Sequence, residues 1–164
     1  MRLSSKAISY DELFSDVIDP VMRNHRDRFK GKKTKPSYND IAMVFPDEID
    51  PSFMNRKITG HHITTLSALP SIMKQGLDPM MSRHPMMYRK GSKLVRYIGN
   101  GTGIIFDKQE AIRTSEAPRF QSRKPIVLLT VSSIPLSWFV EFSPHDGLVG
   151  RVIRPSMIKK VERL

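Results

Sequence analysis

The sequence contains no cysteine and no long hydrophobic run. Without cysteine, the chain cannot form a disulfide, supply a thiol nucleophile, or bind zinc or an iron–sulfur cluster through sulfur. The chain has no run of about eighteen uncharged apolar residues, so we expect no membrane-spanning helix. The N-terminus MRLSSKAISYDELF lacks the apolar core of a secretory signal. We therefore expect a cytoplasmic protein. Its 164 residues, 39% of them hydrophobic, suffice for one hydrophobic core.

Acidic residues are scarce relative to basic ones. The chain has 27 Lys and Arg against 16 Asp and Glu, a net charge of +11, which favours a polyanionic partner such as nucleic acid or an acidic protein surface. Much of the excess lies in residues 22–35, which we call the basic segment and in which Asp27 is the single acid. Its basic residues are Arg23, Arg26, Arg28, Lys30, Lys32, Lys33 and Lys35. We predict that they contact phosphates without base specificity; the alternative is a solvated charged surface.

The first part of the chain is predicted to be an N-terminal basic extension, residues 1–56, that is partly helical and packs in part on a main domain of residues 57–164. A helix over residues 10–18 is indicated by Ser9 as its N-cap and by an apolar stripe, and Pro20 either ends it or starts another helix. In the main domain, a short strand over residues 58–63 is followed by a helix. Thr65 or Ser67 caps that helix, Pro70 fits its first turn, and Gly76 follows its last residue.

The remainder of the main domain is predicted to be rich in strands, which makes the fold class α+β. Residues 78–100 are predicted to be irregular, and residues 103–106 to form a brief strand before a helix capped by Asp107. The segment IVLLTV, residues 126–131, is apolar except for Thr130, which is typical of a strand covered on both faces. Three further segments are predicted strands, with the last at an edge: residues 137–142, 148–153 and 158–164.

The order of motifs from His62 onward resembles a known superfamily. His62-Ile-Thr64, then LPSI, then Gly76-Leu77 give the pattern H-x-T-x(4)-L-P-S-I-x(3)-G-L. This resembles the opening motif of the ADP-ribosyltransferase superfamily, especially its DNA-modifying toxins, and also the related tRNA 2′-phosphotransferases. The segments GIIF, IVLLTV and VIRPSMI follow in the order of that superfamily's later motifs. The resemblance covers about residues 57–164 and implies a split β-sheet core with short helices.

The resemblance also implies a cofactor and its contacts. NAD would be the cofactor, and the enzyme would have to stabilise positive charge at the ribose as the bond to nicotinamide breaks. His62 would hydrogen-bond a ribose hydroxyl, as one of the catalytic residues, and Thr64 would bond nearby. Further cofactor contacts would come from Gly76, Arg83, His84, Tyr88 and Phe106, with Arg83 and His84 at phosphate and Tyr88 or Tyr97 stacked on nicotinamide.

The catalytic acid departs from the superfamily pattern. Most transferases carry Glu at the start of the last core strand, where this chain has Asp146, and Glu141 on the preceding strand is the second candidate. Asp is one methylene shorter, and a displacement of that size can cost roughly a hundredfold in rate. The tRNA 2′-phosphotransferases carry Asn-Gly at this place, to which Asp146-Gly147 is comparable.

Three functions therefore remain open at this stage. The first is an NAD-dependent transferase, of the kind used by toxins, effectors or phage-type modifiers, that acts on nucleic acid or protein. The second is an inactive relative that binds nucleic acid, and the third is an RNA 2′-phosphotransferase-like enzyme. No metal site is expected, because His61, His62 and His84 lack the spacing of metal ligands.

Overall fold

The fold combines an open antiparallel sheet with short helices, so the α+β class is confirmed. A computed structural model describes residues 7–82, 84–90 and 93–164, and for residues 84 and 95–99 it describes the backbone alone. The strands are β1 (Lys57–Thr65), β2 (His84–Lys90), β3 (Lys93–Ile105), β4 (Ile126–Pro135), β5 (Phe139–Phe142), β6 (Asp146–Val149) and β7 (Ile158–Arg163). The helices are α1 (Tyr10–Glu12), α2 (Asp19–Phe29), α3 (Tyr38–Ala42), α4 (Leu69–Gln75), α5 (Lys108–Ser115) and α6 (Pro118–Gln121).

The strand order is β5-β6-β3-β1-β4-β7, with β2 paired to the first part of β3. β1 and β4 pair along their length, and β3 pairs with β6 from Thr102 to Ile105. Between β1 and β3, in contrast, the backbone register is the single pair His61–Ile105 over the described residues. The sheet is thus two ladders joined at one point, and beyond that point β1 and β3 diverge.

Strand β4 shows why both faces of the sheet are covered. Val127, Leu129 and Val131 belong to the larger hydrophobic cluster, whereas Ile126 and Leu128 belong to a smaller one. This alternation follows the two-residue period of a strand. Helix α5 supplies Ala111 to the smaller cluster, on the face opposite the N-terminal helices. The prediction that IVLLTV is buried on both faces is therefore confirmed.

The N-terminal part of the chain contributes to the same core as the strands. Leu13 and Ile18 lie in the larger cluster, and both are fully buried. Ser9 caps α1, as predicted, and the structure adds a reciprocal capping box between Ser9 and Glu12. A π-helical stretch, Leu13–Ile18, joins α1 to α2 without a break, and Pro20 lies in the first turn of α2. Residues 7–56 and the sheet therefore share one core.

The prediction that residues 78–100 are irregular is wrong. After a single 3₁₀ turn, Pro79–Met81, the described residues of this range form β2 and the first part of β3, which pair antiparallel with Tyr88 opposite Val95. The predicted brief strand at residues 103–106 corresponds to the end of the 13-residue β3, which stops at Ile105. The apolar–polar alternation that marks a half-buried strand is weak in the sequence of β2 and the first part of β3.

Buried His25 connects α2 to α3 and to the segment that follows α3, and its replacement should destabilise the fold. His25 is 1% exposed; its Nδ1–H donates to the Ile41 carbonyl at 2.8 Å, and its Nε2 lies 2.5 Å from Glu48 Oε2. His25→Ala removes both bonds and leaves the Glu48 carboxylate without this partner, so we expect a loss of about 3 kcal/mol in unfolding free energy. Thermal unfolding measures this loss, and the exposed Arg26→Ala on the same helix is the control. Equal losses in the two variants would contradict this role.

Candidate active site

His62 is held at the point where β1 and β3 diverge. Its Nδ1 lies 2.8 Å from the Gly103 carbonyl oxygen of β3, and because a carbonyl only accepts, Nδ1 carries the proton. This bond crosses the opening beyond the His61–Ile105 pair, where backbone pairing of the two strands ends. The His62 side chain thus connects β1 to β3 where their backbone pairing has ended, and this bond fixes the orientation of the imidazole ring at the entrance of the opening.

A cleft surrounds His62 and consists of two adjoining hollows. The first, which we call the carboxylate hollow, has a volume of about 440 Å³ and is lined among others by Gly103, Glu110, Glu141, His145 and Asp146. The second, the α4 hollow, has a volume of about 460 Å³ and is lined among others by Thr64, Ser71, Gln75, Gly76 and Thr102. His62, Ile63 and Phe120 line both hollows. His62 therefore stands where an elongated ligand would pass from one hollow to the other.

Glu141, on β5, is the chemically distinctive group of the carboxylate hollow. Burial raises the pKa of its carboxyl to about 7, and the charge of Asp146 acts in the same direction, while the Met87 backbone N–H opposes both by donating to it. Its Oε2 is buried and has no hydrogen-bond partner among the described residues. A carboxyl group that changes protonation near neutral pH suits acid–base or charge-stabilising work.

Asp146, the other candidate acid, is held differently. It is the first residue of β6, is exposed at the rim of the same hollow, and accepts a hydrogen bond from the Ser143 hydroxyl at Oδ1. The exposed carboxylate is solvated and already has a hydroxyl partner. Of the two acids, Glu141 is the one whose environment favours a role in catalysis.

Two glycines shape the cleft because a side chain would not fit. Gly76, after α4, has φ +83°, and an added Cβ would lie 2.1 Å from the Ile153 carbonyl oxygen. This close approach lets Leu77 and Ile153 exchange backbone hydrogen bonds of 2.9 and 3.0 Å. At Gly147 an added Cβ would meet the Glu141 carbonyl oxygen at 3.0 Å and the Phe106 ring at 3.1 Å. Gly147 therefore lets β5 and β6 hold Glu141 close to the hollow.

Other residues expected at the cofactor lie elsewhere. Phe106 is 4% exposed and packs against Phe139 and Phe142, at ring-centroid distances of 5.7 and 6.5 Å. The resemblance implied a cofactor contact for Phe106, but the Phe106 side chain lies in the larger hydrophobic cluster. Tyr88, on β2, lines a separate hollow with Phe45 and other residues.

Three of the expected contacts cannot be placed. Arg83 lies outside the described residues. His84 begins β2 and Tyr97 lies in β3, and the side chains of both lie outside the described part of the chain.

Several cleft residues were not found from the sequence. His145 lines the carboxylate hollow beside Asp146, and Arg119 and Arg123 line the carboxylate and α4 hollows respectively, on either side of Phe120. Helix α6 carries Arg119 and Phe120 but no recognisable motif, so no sequence signal marked it. The position of His145 next to Asp146 was the one available signal.

The basic segment spans the end of α2 and the loop after it. All seven of its basic residues are exposed. Arg23 pairs with Asp19 at 2.5 Å and Lys30 with Asp27 at 2.9 Å. Both pairs join near neighbours at the surface, where ion pairs contribute little and exchange readily for another anion.

Comparison with known proteins gives no family for this chain. No protein-family model matches it, and no curated protein matches it significantly. Among the helices of the described residues, none has the length and apolarity needed to cross a membrane. Within the same part of the chain, no three His, Asp or Glu residues are grouped as metal ligands.

Proposed function

We propose that this chain is an NAD-dependent ADP-ribosyltransferase-like enzyme that modifies a nucleic acid or protein acceptor. The observation that carries the proposal is the meeting of His62 and Glu141 in one cleft, at the opening between β1 and β3. The motif order around His62 and Gly76 supports the same conclusion by resemblance.

The residues of the cleft fit a dinucleotide. Two adjoining hollows with His62 at their junction suit a bent, two-part ligand. The buried Oε2 of Glu141, without a partner among the described residues, can accept a bond from a ribose hydroxyl. Arg119 and Arg123 bring positive charge to the two hollows, where a pyrophosphate bridge would lie.

The proposed chemistry is transfer of ADP-ribose from NAD to an acceptor. Breaking the nicotinamide–ribose bond leaves positive charge on the ribose, which the ionised Glu141 carboxylate stabilises through space. His62 orients the ribose, since the bond to the Gly103 carbonyl prevents its ring from turning. The Glu141 pKa of about 7 leaves a substantial ionised fraction at neutral pH.

The test uses NAD labelled on its adenylate phosphate, incubated with the protein and cell extract and then digested with protease, DNase or RNase. The proposal predicts label in a macromolecule, lost to one digestion and absent with His62→Ala. Label absent under all conditions, with NAD intact and no thermal shift on adding NAD, would refute it. Addition of 2′-phosphorylated RNA tests the phosphotransferase-like alternative, which predicts loss of the 2′-phosphate.

Nucleic-acid binding by the basic segment is the second candidate function, supported by its exposed cationic side chains. Each phosphate neutralised contributes about 0.9 to the slope of log K against log salt. Changing Lys30, Lys32, Lys33 and Lys35 to Gln should therefore lower that slope by about 2 to 4. Fluorescence anisotropy with labelled oligonucleotides over a salt series measures it. The matched control changes the exposed Lys90, Lys93, Lys159 and Lys160 to Gln. If the control lowers the salt slope by the same amount, the basic segment is not the specific contact for nucleic acid.

A further inference from the structure

A tyrosine from the N-terminal part of the chain reaches the wall of the cleft. Tyr10 Oη, on α1, lies 2.7 Å from the Pro144 carbonyl oxygen and 3.1 Å from His145 Nδ1. His145 lines the carboxylate hollow together with Glu141. The contact joins residues 135 positions apart, and neither the proposed function nor the superfamily motifs in this sequence account for it.

The hydrogen-bond partners determine which ring nitrogen of His145 carries the proton. The Pro144 carbonyl only accepts, so the single hydroxyl proton of Tyr10 is donated to it. The Tyr10 oxygen must then accept from His145 Nδ1–H. Burial raises the pKa of Tyr10 above its usual value, which keeps the hydroxyl proton in place. The neutral imidazole consequently carries its proton on Nδ1 and its lone pair on Nε2.

The position of His145 distinguishes it from Glu141. His145 is exposed, whereas Glu141 Oε2 is buried, yet both line the carboxylate hollow. A macromolecular acceptor entering from solvent would meet the exposed imidazole before the buried carboxyl. Glu110 and Asp146 also line this hollow, and Asp146 has its Oδ1 bonded to the Ser143 hydroxyl.

We propose that His145 is the base that deprotonates the acceptor. Tyr10 is the positioning residue, because its hydrogen bond to Nδ1–H of His145 leaves Nε2 unprotonated and able to accept the proton. In this step the acceptor X–H bond breaks and its proton goes to Nε2. The electron pair left on X forms the bond to the ribose C1′ of NAD, and the C1′–N bond breaks with its electrons returning to nicotinamide. The imidazolium then releases its proton to water. The role of His145 as a base depends on the proposed function. The tautomer of His145, in contrast, can be measured without any transfer reaction.

The first experiment measures the tautomer directly. Long-range ¹H–¹⁵N spectra of the uniformly labelled protein are recorded at alkaline pH, where the imidazole is neutral. We expect the Nδ1–H form at His145 in the wild type and a shift towards the Nε2–H form in Tyr10→Phe. Tyr38→Phe, at a tyrosine that is 69% exposed, is the control and should leave the His145 signals unchanged. An Nε2–H tautomer in the wild type, or no change in Tyr10→Phe, would overturn the proposal.

The second experiment separates a base from a merely structural histidine. In His145→Asn the side-chain amide can still donate to Tyr10, but no basic nitrogen remains. We expect an unchanged melting temperature and unchanged NAD affinity, with ADP-ribosyl transfer lowered about a hundredfold. Tyr10→Phe should lower transfer less, about tenfold, because it misorients the base without removing it. Free imidazole should restore part of the activity of His145→Ala.

The outcomes distinguish the two proposals. If the wild type transfers ADP-ribose and His145→Asn is fully active, the assignment of the base is wrong and the proposed function stands. If the wild type transfers no ADP-ribose although His145 has the Nδ1–H tautomer set by Tyr10, the proposed function is wrong. The role of His145 as a base is then wrong as well.

Discussion

Replacing Glu141 by Gln is expected to lower the rate of ADP-ribosyl transfer by about 10²- to 10³-fold while leaving NAD affinity nearly unchanged. The amide keeps the size of the side chain but cannot carry the negative charge that stabilises the developing positive ribose. Because this charge matters chiefly in the transition state, kcat should fall and the Kd for NAD should not. Single-turnover transfer from labelled NAD, with NAD affinity from calorimetry, measures both.

The same substitution should change how stability depends on pH. The folded-state pKa of Glu141 is about 7, above its ordinary value of 4.5, so folding favours the protonated carboxyl. This contribution is fully present below about pH 4.5 and is lost as the pH rises through about 7. Glu141→Gln cannot lose a proton, so it should gain stability relative to the wild type as pH rises through this range. After allowance for solvent screening, the gain is about 1 to 2 kcal/mol at pH 8.

Two control variants sharpen this prediction. Glu116→Gln changes an exposed carboxyl outside the cleft and should not alter transfer. Asp146→Asn changes the exposed rim carboxylate and should reduce transfer less than Glu141→Gln. A larger effect of Asp146→Asn would reverse the assignment and return the catalytic role to the start of β6.

His62→Ala is expected to lower transfer by at least about a hundredfold and, unlike Glu141→Gln, to weaken NAD binding as well. It removes the ring that stands at the junction of the two hollows and the 2.8 Å bond to Gly103 that orients it. Loss of a hydrogen bond to a ribose hydroxyl reduces affinity by roughly tenfold. Calorimetric titration with NAD and the transfer assay measure the two effects.

The adjacent histidine offers a matched control. His61 is 7% exposed, and its Nδ1 lies 3.4 Å from the Thr130 hydroxyl, on the opposite face of β1 from His62. Burial and the nearby Lys108 charge lower the pKa of His61 and so favour its neutral form. His61→Ala should therefore reduce stability, by about 2 kcal/mol, and leave NAD affinity unchanged. If His61→Ala weakened NAD binding as much as His62→Ala, the assignment to the cleft would be wrong.

Local signals in the sequence predicted much of the fold. The capping residues Ser9 and Asp107, and Gly76 at the end of α4, act within a few residues of chain, so their patterns identify helix ends directly. The apolar segment IVLLTV is similarly local, because burial on both faces leaves no polar alternation. The β2–β3 pair was missed because neither segment shows a clear apolar–polar alternation, and a local pattern does not reveal that the two segments pair with each other.

The candidate site was predicted only in part for the same reason. The motif around His62 identified one wall of the cleft, and Glu141 was one of two candidate acids. The pKa of Glu141 is set by burial, by the Met87 backbone N–H of β2 and by the Asp146 charge of β6, and no local sequence pattern brings these groups together. The contact of Tyr10 with His145 likewise depends on how the N-terminal helix docks on the sheet.

The most direct test of this account is a titration of the ¹⁵N-labelled protein with NAD, followed by backbone amide NMR. The account predicts saturable shifts concentrated in β1 and β3 around His62 and Gly103, in β5 at Glu141, and in the residues after α4. His62→Ala should weaken these shifts. Amide shifts that are absent at millimolar NAD, or that fall outside both hollows, would contradict the claim that this cleft binds the dinucleotide.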